Sequence, residues 1–251
     1  MNGWQRKAAG YAMATLVMLA VWQIAAWALG SHVLPGPVPA FSAFVADFQD
    51  ELAPHMLVSI WRVSAATVAG AVLAVPLGLW LGRSPRADAV AAPLIFLTYP
   101  VPKVVFLPVL LVLLGLGDAS KITLITLIVF FQLLVTARDA ARAIPADSVL
   151  SVRSLGASKL GVFWHVVAVG ALPEIFTALR IGTGTAVAVL FLAESIGGTS
   201  GLGYYIVDAW GRLDYNAMFA GIIAMALMGV LIYELLEIAE SRLCRWTRVE
   251  R

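Results

Sequence analysis

The sequence predicts an all-α membrane protein with six transmembrane helices. Of its 251 residues, 61% are hydrophobic and 13% are charged, whereas an average soluble domain is about 45–50% apolar and about 25% charged. Apolar runs recur along the chain at lengths suited to crossing a bilayer, which takes roughly 20 helical residues. The six predicted spans are about Ala8–Leu29, His55–Leu81, Ala87–Leu114, Ile122–Ala137, Pro173–Leu192 and Asn216–Ile238.

The first run could be mistaken for a signal peptide, because Arg6 and Lys7 precede it. Its length suits a spanning helix, however, and the segment 31–35 that follows is a poor cleavage site. The loop 31–54 is rich in proline and then acidic, so we expect an extended entry followed by a short surface helix. Nothing in this loop predicts a separate soluble domain, and we expect one membrane domain over residues 1–251.

Prolines interrupt the third run. Each one removes a backbone hydrogen-bond donor, so we expect this helix to be kinked or partly unwound. The prolines concerned are Pro93, Pro100, Pro102 and Pro108. The second and fifth runs instead contain many glycines and alanines, which allow helices to pack closely.

The distribution of lysine and arginine predicts the orientation, because basic residues accumulate in cytoplasmic loops. Most of them fall at the two termini and in the second and fourth loops, whereas Lys121 and Arg212 fall on the opposite side. An even number of spans places both termini on one side. Both termini and the long polar loop, about 139–172, are therefore predicted to be cytoplasmic.

Four charged residues lie in or at the edge of predicted spans, where an unpaired charge near the centre costs at least about 2.5–3.5 kcal/mol. They are Arg62, Lys103, Arg180 and Glu194. Long basic side chains near helix ends commonly extend to the interface, and we favour this interpretation for Arg62 and Arg180. Glu194 precedes a glycine-rich segment, and it is interpreted as a gate, a dimer contact or a solvated helix end.

Lys103 follows Pro102 in the interrupted third run, where it could face the path of a transported anion. The alternative is a structural lysine that pairs with Glu194 or caps carbonyl groups freed by the prolines. The candidates for a translocation path or gate are Lys103, Pro102, Arg180 and Glu194.

Several kinds of chemistry are excluded. The chain has no Gly-x-x-x-x-Gly-Lys-Ser/Thr loop, so it does not bind ATP in that manner. Its three histidines are far apart and its single cysteine, Cys244, has no second thiol, so neither a metal site nor a disulfide is predicted. Because the basic residues form no single patch, nucleic-acid binding is not expected. We expect no cofactor and no enzymatic activity in this chain.

The polar loop contains a recognisable pattern. The segment 151–158, followed by a helix to Val167 and by Ala171-Leu172-Pro173, resembles the cytoplasmic coupling loop of ABC importer permeases. That loop reads Glu-Ala-Ala, three residues, Gly, nine residues, Ile-x-Leu-Pro. Gly156 matches the glycine and Val166 the isoleucine. The departures are Leu150, Ser151 and Val152 in place of Glu-Ala-Ala, and Ala168 and Val169 in place of Leu-Pro.

Nearly the whole chain is similar to the nitrate/sulfonate/taurine-type branch of these permeases. No single motif is specific, but their order and spacing together are. The motifs are Leu34-Pro35-Gly36-Pro37, Ser59-Ile60-Trp61-Arg62-Val63, Pro76 to Gly82, Tyr99 to Pro102, Leu107-Pro108, Gly115 to Asp118, Ala178 to Gly182, Ala193-Glu194 and Gly201-Leu202-Gly203.

The resemblance implies a six-helix permease in a bacterial cytoplasmic (inner) membrane, working as a homodimer in the lipid bilayer. Its implied partners are a cytoplasmic ABC ATPase dimer, which would hold ATP and Mg, and an extracytoplasmic solute-binding protein. The solute would be a small anion such as a sulfonate or nitrate, or a related solute. The residues implied to contact the ATPase are Arg153, Ser154, Leu155, Gly156, Ala157, Ser158 and Lys159.

Two other classes of function compete with this one. A secondary transporter working without an ATPase predicts coupling-ion carboxylates within the spans and internal repeats. Glu194 is the only acid deep enough to consider, which counts against that class. A membrane-embedded enzyme would need a nucleophile-base pair or a metal site, and the sequence offers neither.

Overall fold

The computed structural model describes residues 3–30 and 33–248, and within these ranges the chain is helical and contains no strand. Eleven α-helices are present in the described part. They are α1 (Gly3–Leu29), α2 (Pro37–Asp47), α3 (Ala53–Arg83), α4 (Pro85–Thr98), α5 (Leu107–Leu114), α6 (Asp118–Ala143), α7 (Ala146–Ser154), α8 (Lys159–Val162), α9 (Val169–Ser195), α10 (Leu202–Gly211) and α11 (Tyr215–Leu243).

Five helical stretches are long and apolar enough to cross a membrane, and a bent pair of helices brings the number to as many as six. Two of the five are longer than a single α-helix, because short π-helical segments join α2 to α3 and α8 to α9 without a break. The helical backbone therefore runs from Pro37 to Arg83 and from Lys159 to Ser195. The predicted all-α polytopic fold is confirmed.

The third span is broken, as the prolines predict. α4 ends at Thr98, a single 3₁₀ turn covers Lys103–Phe106, and α5 follows at a bend of 78° from α4. Pro100 and Pro102 lie inside the break, where they cannot donate helical hydrogen bonds. Pro108 instead lies in the first turn of α5, a position that needs no donor.

Two elements differ from the sequence expectation. The acidic part of the loop after α1 is not a separate surface helix, because its π-helical turn, Phe48–Leu52, continues directly into α3. The glycine-rich segment leads into α10, which the sequence analysis did not predict. Gly201, with a φ of 103°, precedes this helix, and apolar residues at amphipathic spacing bury one face of it. These residues are Leu202, Tyr205, Ile206 and Ala209.

The chain divides into two compact units. The first takes its residues from 1–58 and 199–226, and aromatic side chains are central to its packing. The ring of Trp22 stacks on Phe219 at 5.7 Å, and its Nε1 donates a hydrogen bond of 3.0 Å to the carbonyl of Pro35. The hydroxyl of Tyr205 donates to Asp47, and the Nδ1 atom of His55 accepts from the Gly201 amide.

The second unit takes its residues from 59–198 and 227–251, and α3 and α6 pack against each other with their backbones close together. Small residues recur every fourth position on one face of α3, so no large side chain separates the two helices. They are Ala66, Gly70, Ala74, Gly78 and Gly82. A methyl group at Gly78 would lie 2.6 Å from the Leu134 carbonyl oxygen, and one at Gly82 would collide with the Arg138 carbonyl oxygen. We call this contact the α3–α6 seam.

Candidate functional site

A cluster of buried charges joins α3, α6 and α9. The guanidinium of Arg62 lies 2.9 Å from Glu194 and 2.7 Å from Asp118, and the Ser59 hydroxyl contacts both carboxylate oxygens of Glu194 at 2.9 Å. The side chain of Arg62 is 3% exposed and that of Glu194 is fully buried. Arg62 therefore does not extend to the interface as expected, because a buried carboxylate pairs with it inside the protein.

Lys121 lies beside this cluster, which we call the Arg62–Glu194 cluster, and is also fully buried. Its ammonium donates to the carbonyl oxygens of Leu116 and Gly117, at 2.6 and 3.3 Å. The sequence analysis had treated Lys121 only as a loop charge and had not singled out Asp118. The pairing of Asp118 could not be assigned from the sequence, because its partner Arg62 is 56 residues away in the chain.

Lys103 lies at the break between α4 and α5. Its ammonium donates to the carbonyl oxygens of Thr98, at 2.8 Å, and of Tyr99, and it lies 4.6 Å from the ring centre of Phe131. These carbonyls end α4, where Pro102 cannot supply a donor. This is the carbonyl contact that the structural alternative for Lys103 predicts. The ammonium has three donor hydrogens, so two carbonyls leave one for another acceptor.

An open cavity of about 760 Å³ lies between α6, α9 and α11. Arg180 lines it and pairs with Glu240 at 2.9 Å, with Glu237 at 4.0 Å, and its side chain is 20% exposed. Glu174 and Gln132 are also in the lining. Arg180 is thus ion-paired at the cavity wall, and the cavity carries more carboxylates than cations.

A second charged cluster ties α4 to α6, and the sequence analysis did not single it out. Asp88 in the first turn of α4 accepts from Arg138 and Arg142, which are one turn apart on α6. Asp88 is 6% exposed, so its charge is largely removed from solvent. We call these three residues the Asp88 clamp.

The two clusters lie near opposite ends of α6. Asp118 and Arg138 are twenty positions apart on this helix, which corresponds to about 30 Å at 1.5 Å per residue, close to the thickness of the hydrocarbon core. The buried charges therefore fall near the two faces of the membrane, where ionic groups cost less than at the centre.

The predicted coupling residues form one surface helix-turn-helix next to the Asp88 clamp. α7 ends at Ser154, Gly156 turns the chain with a φ of 88°, and the Ser158 hydroxyl caps α8 by accepting from the Gly161 amide at 3.1 Å. A left-handed φ of this kind suits glycine. Leu155 at the turn is 87% exposed.

Further apolar side chains are exposed on this loop, among them Leu150, Leu160 and Trp164, at 59%, 67% and 54%. Arg153 and Lys159 border a small pocket of about 200 Å³ beside them. The loop thus presents an apolar surface flanked by cations. An apolar patch of this kind on a water-facing surface normally marks a site where a partner binds. No group of His, Cys, Asp or Glu that could hold a metal ion is found in residues 3–30 and 33–248.

Comparison with known proteins gives consistent matches. Residues 74–245 match the family described as binding-protein-dependent transport system inner membrane component. The taurine transport system permease protein TauC of Escherichia coli (strain K12) is 35% identical over 192 residues, which is 76% of this chain and 70% of TauC. The putative aliphatic sulfonates transport permease protein SsuC of Bacillus subtilis (strain 168) is 31% identical over 238 residues, which is 92% of this chain and 84% of SsuC.

The nitrate import permease protein NrtB of Synechocystis sp. (strain PCC 6803) is 28% identical over 240 residues, which is 92% of this chain and 87% of NrtB. Among solved structures, a chain of the MetNI methionine ABC transporter in an inward-facing conformation matches with a TM-score of 0.61 and 18% identity. The match covers 77% of this chain and 94% of that one, and it supports the fold.

The family model covers well over half of the chain, and several relatives match nearly all of it. These matches confirm the resemblance found in the sequence, and they decide against the secondary transporter and the membrane-embedded enzyme. The chain therefore belongs to the family of binding-protein-dependent transport system inner membrane components and is a transmembrane permease subunit of an ABC importer.

Proposed function

We propose that this permease imports a small sulfonate, or a comparably small anion, with energy from ATP hydrolysed by a separate ATPase subunit. The names of its relatives support the solute class, since they refer to taurine, aliphatic sulfonates and nitrate. The observation that carries the coupling to an ATPase is the exposed helix-turn-helix at α7 and α8. ATP and Mg would be held by the partner, because the sequence of this chain has no phosphate-binding loop.

The loop 139–172 docks into a groove of the ATPase through Arg153 to Lys159. A short helix with exposed apolar side chains fits a groove on a partner, where its apolar face is buried. Leu155 is more exposed than the other large apolar side chains of the loop, and Gly156 fixes the turn that presents it. Leu150 replaces the acidic residue of the family pattern and is itself exposed, so the contact at this position is apolar.

The complete transporter contains two copies of this chain, a cytoplasmic ATPase dimer and an extracytoplasmic solute-binding protein. Both termini and the docking loop face the cytoplasm, as the distribution of lysine and arginine supports. In this proposal the membrane domain is a single one, 1–251. ATP-driven closure of the ATPase dimer moves the docking loops and opens the path alternately to the two sides.

Four residues belong to the path or its gates in this proposal. Pro102 keeps the third span broken, and Lys103 uses its remaining donor for an anionic group of the solute. Arg180 lines the cavity on the side of the docking loop. Glu194, paired with Arg62, closes the opposite end. The ammonium of Lys103 already contacts backbone carbonyls, and the guanidinium of Arg180 already contacts a carboxylate. Both groups therefore bind the solute transiently rather than tightly.

Copurification and transport test this function. The tagged permease should bring an ATPase subunit from native membranes, and this complex, reconstituted together with the solute-binding protein, should take up radiolabelled taurine only with ATP. Gly156→Pro and Arg153→Glu should each reduce uptake per ATP at least about tenfold while the protein remains in the membrane, because the turn and the cation at the docking surface are lost.

Arg212→Glu is the matched control for Arg153→Glu. It makes the same charge change at an exposed residue outside the docking loop, and uptake per ATP should stay within twofold of the wild type. ATP-independent uptake by the permease alone, or normal coupling in both loop variants, would contradict the proposal.

A further inference from the structure

We propose that the Asp88 clamp is the mechanical link between the docking loop and the broken third span, and that Asp88 is a positioning residue for coupling. This inference rests on the proposed docking of the loop onto an ATPase. It goes further by naming the contact through which movement of the loop reaches α4.

α4 is held to its own subunit at one buried point. All of Pro85–Thr98 is described by the structure, and Asp88 is the only buried residue in it. Most of the large apolar side chains of α4 are exposed: Val90, Leu94, Phe96 and Leu97. A helix with so little buried surface gains little stability from packing within the subunit. Apart from the one-residue link to α3 at Ser84, its position therefore depends on the two arginines that Asp88 binds.

The other side of the clamp lies at the start of the docking loop. Arg138 and Arg142 are in the last two turns of α6, which ends at Ala143, and α7 begins at Ala146. Only Ile144 and Pro145 separate the two helices, and proline restricts the backbone of this link. A displacement of α7 thus reaches the arginines through a short and stiff connection.

The same end of α6 is also fastened to α3. Arg83 at the end of α3 donates to the carbonyl oxygens of Ala141 and Ile144, at 3.4 and 3.5 Å. The α3–α6 seam keeps the two backbones in register at Gly78 and Gly82. Helices packed this closely move together, because interiors at native density transmit displacement with little compression.

The clamp therefore connects a closely packed pair of helices with a helix that buries little surface of its own. α3 and α6 form a stiff pair next to the docking loop, and α4 leads to the bend at residues 99–102. Asp88 makes α4 follow α6 when the loop moves, so the bend receives the displacement. Without the carboxylate, only the one-residue link at Ser84 would join α4 to this pair, so α4 would pivot there instead of following α6, and ATP hydrolysis would continue without transport.

Asp88→Asn is the main test, in the permease–ATPase complex reconstituted into proteoliposomes together with the solute-binding protein, with radiolabelled taurine as the probe. Uptake per ATP hydrolysed should fall at least tenfold, while the ATPase still copurifies and still hydrolyses ATP. Asp88→Glu keeps the negative charge, so its uptake per ATP hydrolysed should be at least half that of the wild type. Asp139→Asn is the matched control, since Asp139 is exposed and 3.7 Å from Arg138 but contacts α6 alone. It should leave the ratio within twofold of the wild type.

A distance measurement gives a second readout that needs no solute and no intact coupling. Spin labels at Val90 on α4 and Ser148 on α7, both exposed, would be placed in a Cys244→Ala background. With Asp88 present, the distance distribution should stay narrow with and without ATP. In Asp88→Asn it should broaden, or shift with ATP by several ångströms. Arg142→Gln leaves the contact between Arg138 and Asp88 in place. This variant should therefore fold and show an intermediate effect on both uptake per ATP and the distance distribution.

The outcomes separate the two proposals. If no ATPase binds the wild-type permease, the proposed function fails, and the inference about the clamp fails with it. If the wild type couples, and Asp88→Asn couples within twofold of it with an unchanged distance distribution, the clamp is overturned and the proposed function stands. If Asp88→Asn does not fold, Arg142→Gln decides, and normal values for that variant on both readouts overturn the clamp.

Discussion

Arg62 and Glu194 show how two charges are accommodated between apolar helices. A charge alone in this position would be costly, but the pair, the Ser59 hydroxyl and Asp118 supply hydrogen-bonding partners. The sequence showed that Arg62 and Glu194 needed partners. It could not show that they partner each other, because 132 residues separate them and only the folded structure brings α3 and α9 together.

Glu194→Gln should destabilise the isolated subunit by about 3 kcal/mol, the low end expected for breaking a buried pair, because Asp118 still contacts Arg62. The measurement is the unfolding midpoint in detergent, followed by tryptophan fluorescence. Asp208→Asn is the control, since Asp208 forms an exposed pair with Arg212, and we expect a loss of about 0.5 kcal/mol or less there. Equal shifts of the unfolding midpoint for the two variants would mean that the Arg62–Glu194 cluster does not stabilise the subunit.

The α3–α6 seam shows how a helix pair depends on the absence of side chains. The sequence predicted close packing from the small residues of the second span, and the structure confirms it at Gly70, Gly78 and Gly82. The partner helix was not predictable, because every apolar span offers a possible surface to a stripe of small residues.

Gly78→Ala should destabilise the subunit, although alanine is the better helix former by about 1 kcal/mol. The added methyl group would lie 2.6 Å from the Leu134 carbonyl oxygen, and such overpacking typically costs about 1–3 kcal/mol. Gly184→Ala is the matched control within α9, because nothing lies within 4 Å of its added methyl group. The unfolding midpoint should fall for Gly78→Ala and stay or rise for Gly184→Ala, and the reverse order would exclude the seam.

The elements themselves were predictable to different degrees. Proline chemistry predicted the break in the third span, since a residue without a donor cannot continue a helix. α10 was missed, because a search for long apolar runs passes over a ten-residue amphipathic helix between glycine turns. The Asp88 clamp was missed because Asp88 reads as an ordinary acidic residue at a helix start, where it favours the helix dipole regardless of any partner.

The orientation of the whole molecule is a prediction from its basic residues. In a Cys244→Ala background expressed without the ATPase subunit, a cysteine at Leu155 should react with a membrane-impermeant maleimide only in inside-out vesicles. A cysteine at Arg212 should react only in intact spheroplasts. Both residues are largely exposed, so the side of the membrane rather than burial decides the reaction. Labelling of the two positions from the same side would contradict the six-span topology.

An unbroken helix runs from Lys159 to Ser195. It begins beside the turn at Gly156 that we propose docks onto the ATPase, here called the docking turn, and it reaches Glu194, a length of about 50 Å at 1.5 Å per residue. As a lever pivoting near its middle, it would need a tilt of only about 5° to carry each tip by about 2 Å. A shift of this size exceeds what the 2.9 Å contact of Glu194 with Arg62 can absorb. A small push at the docking turn could thus release the charge pair at the far tip.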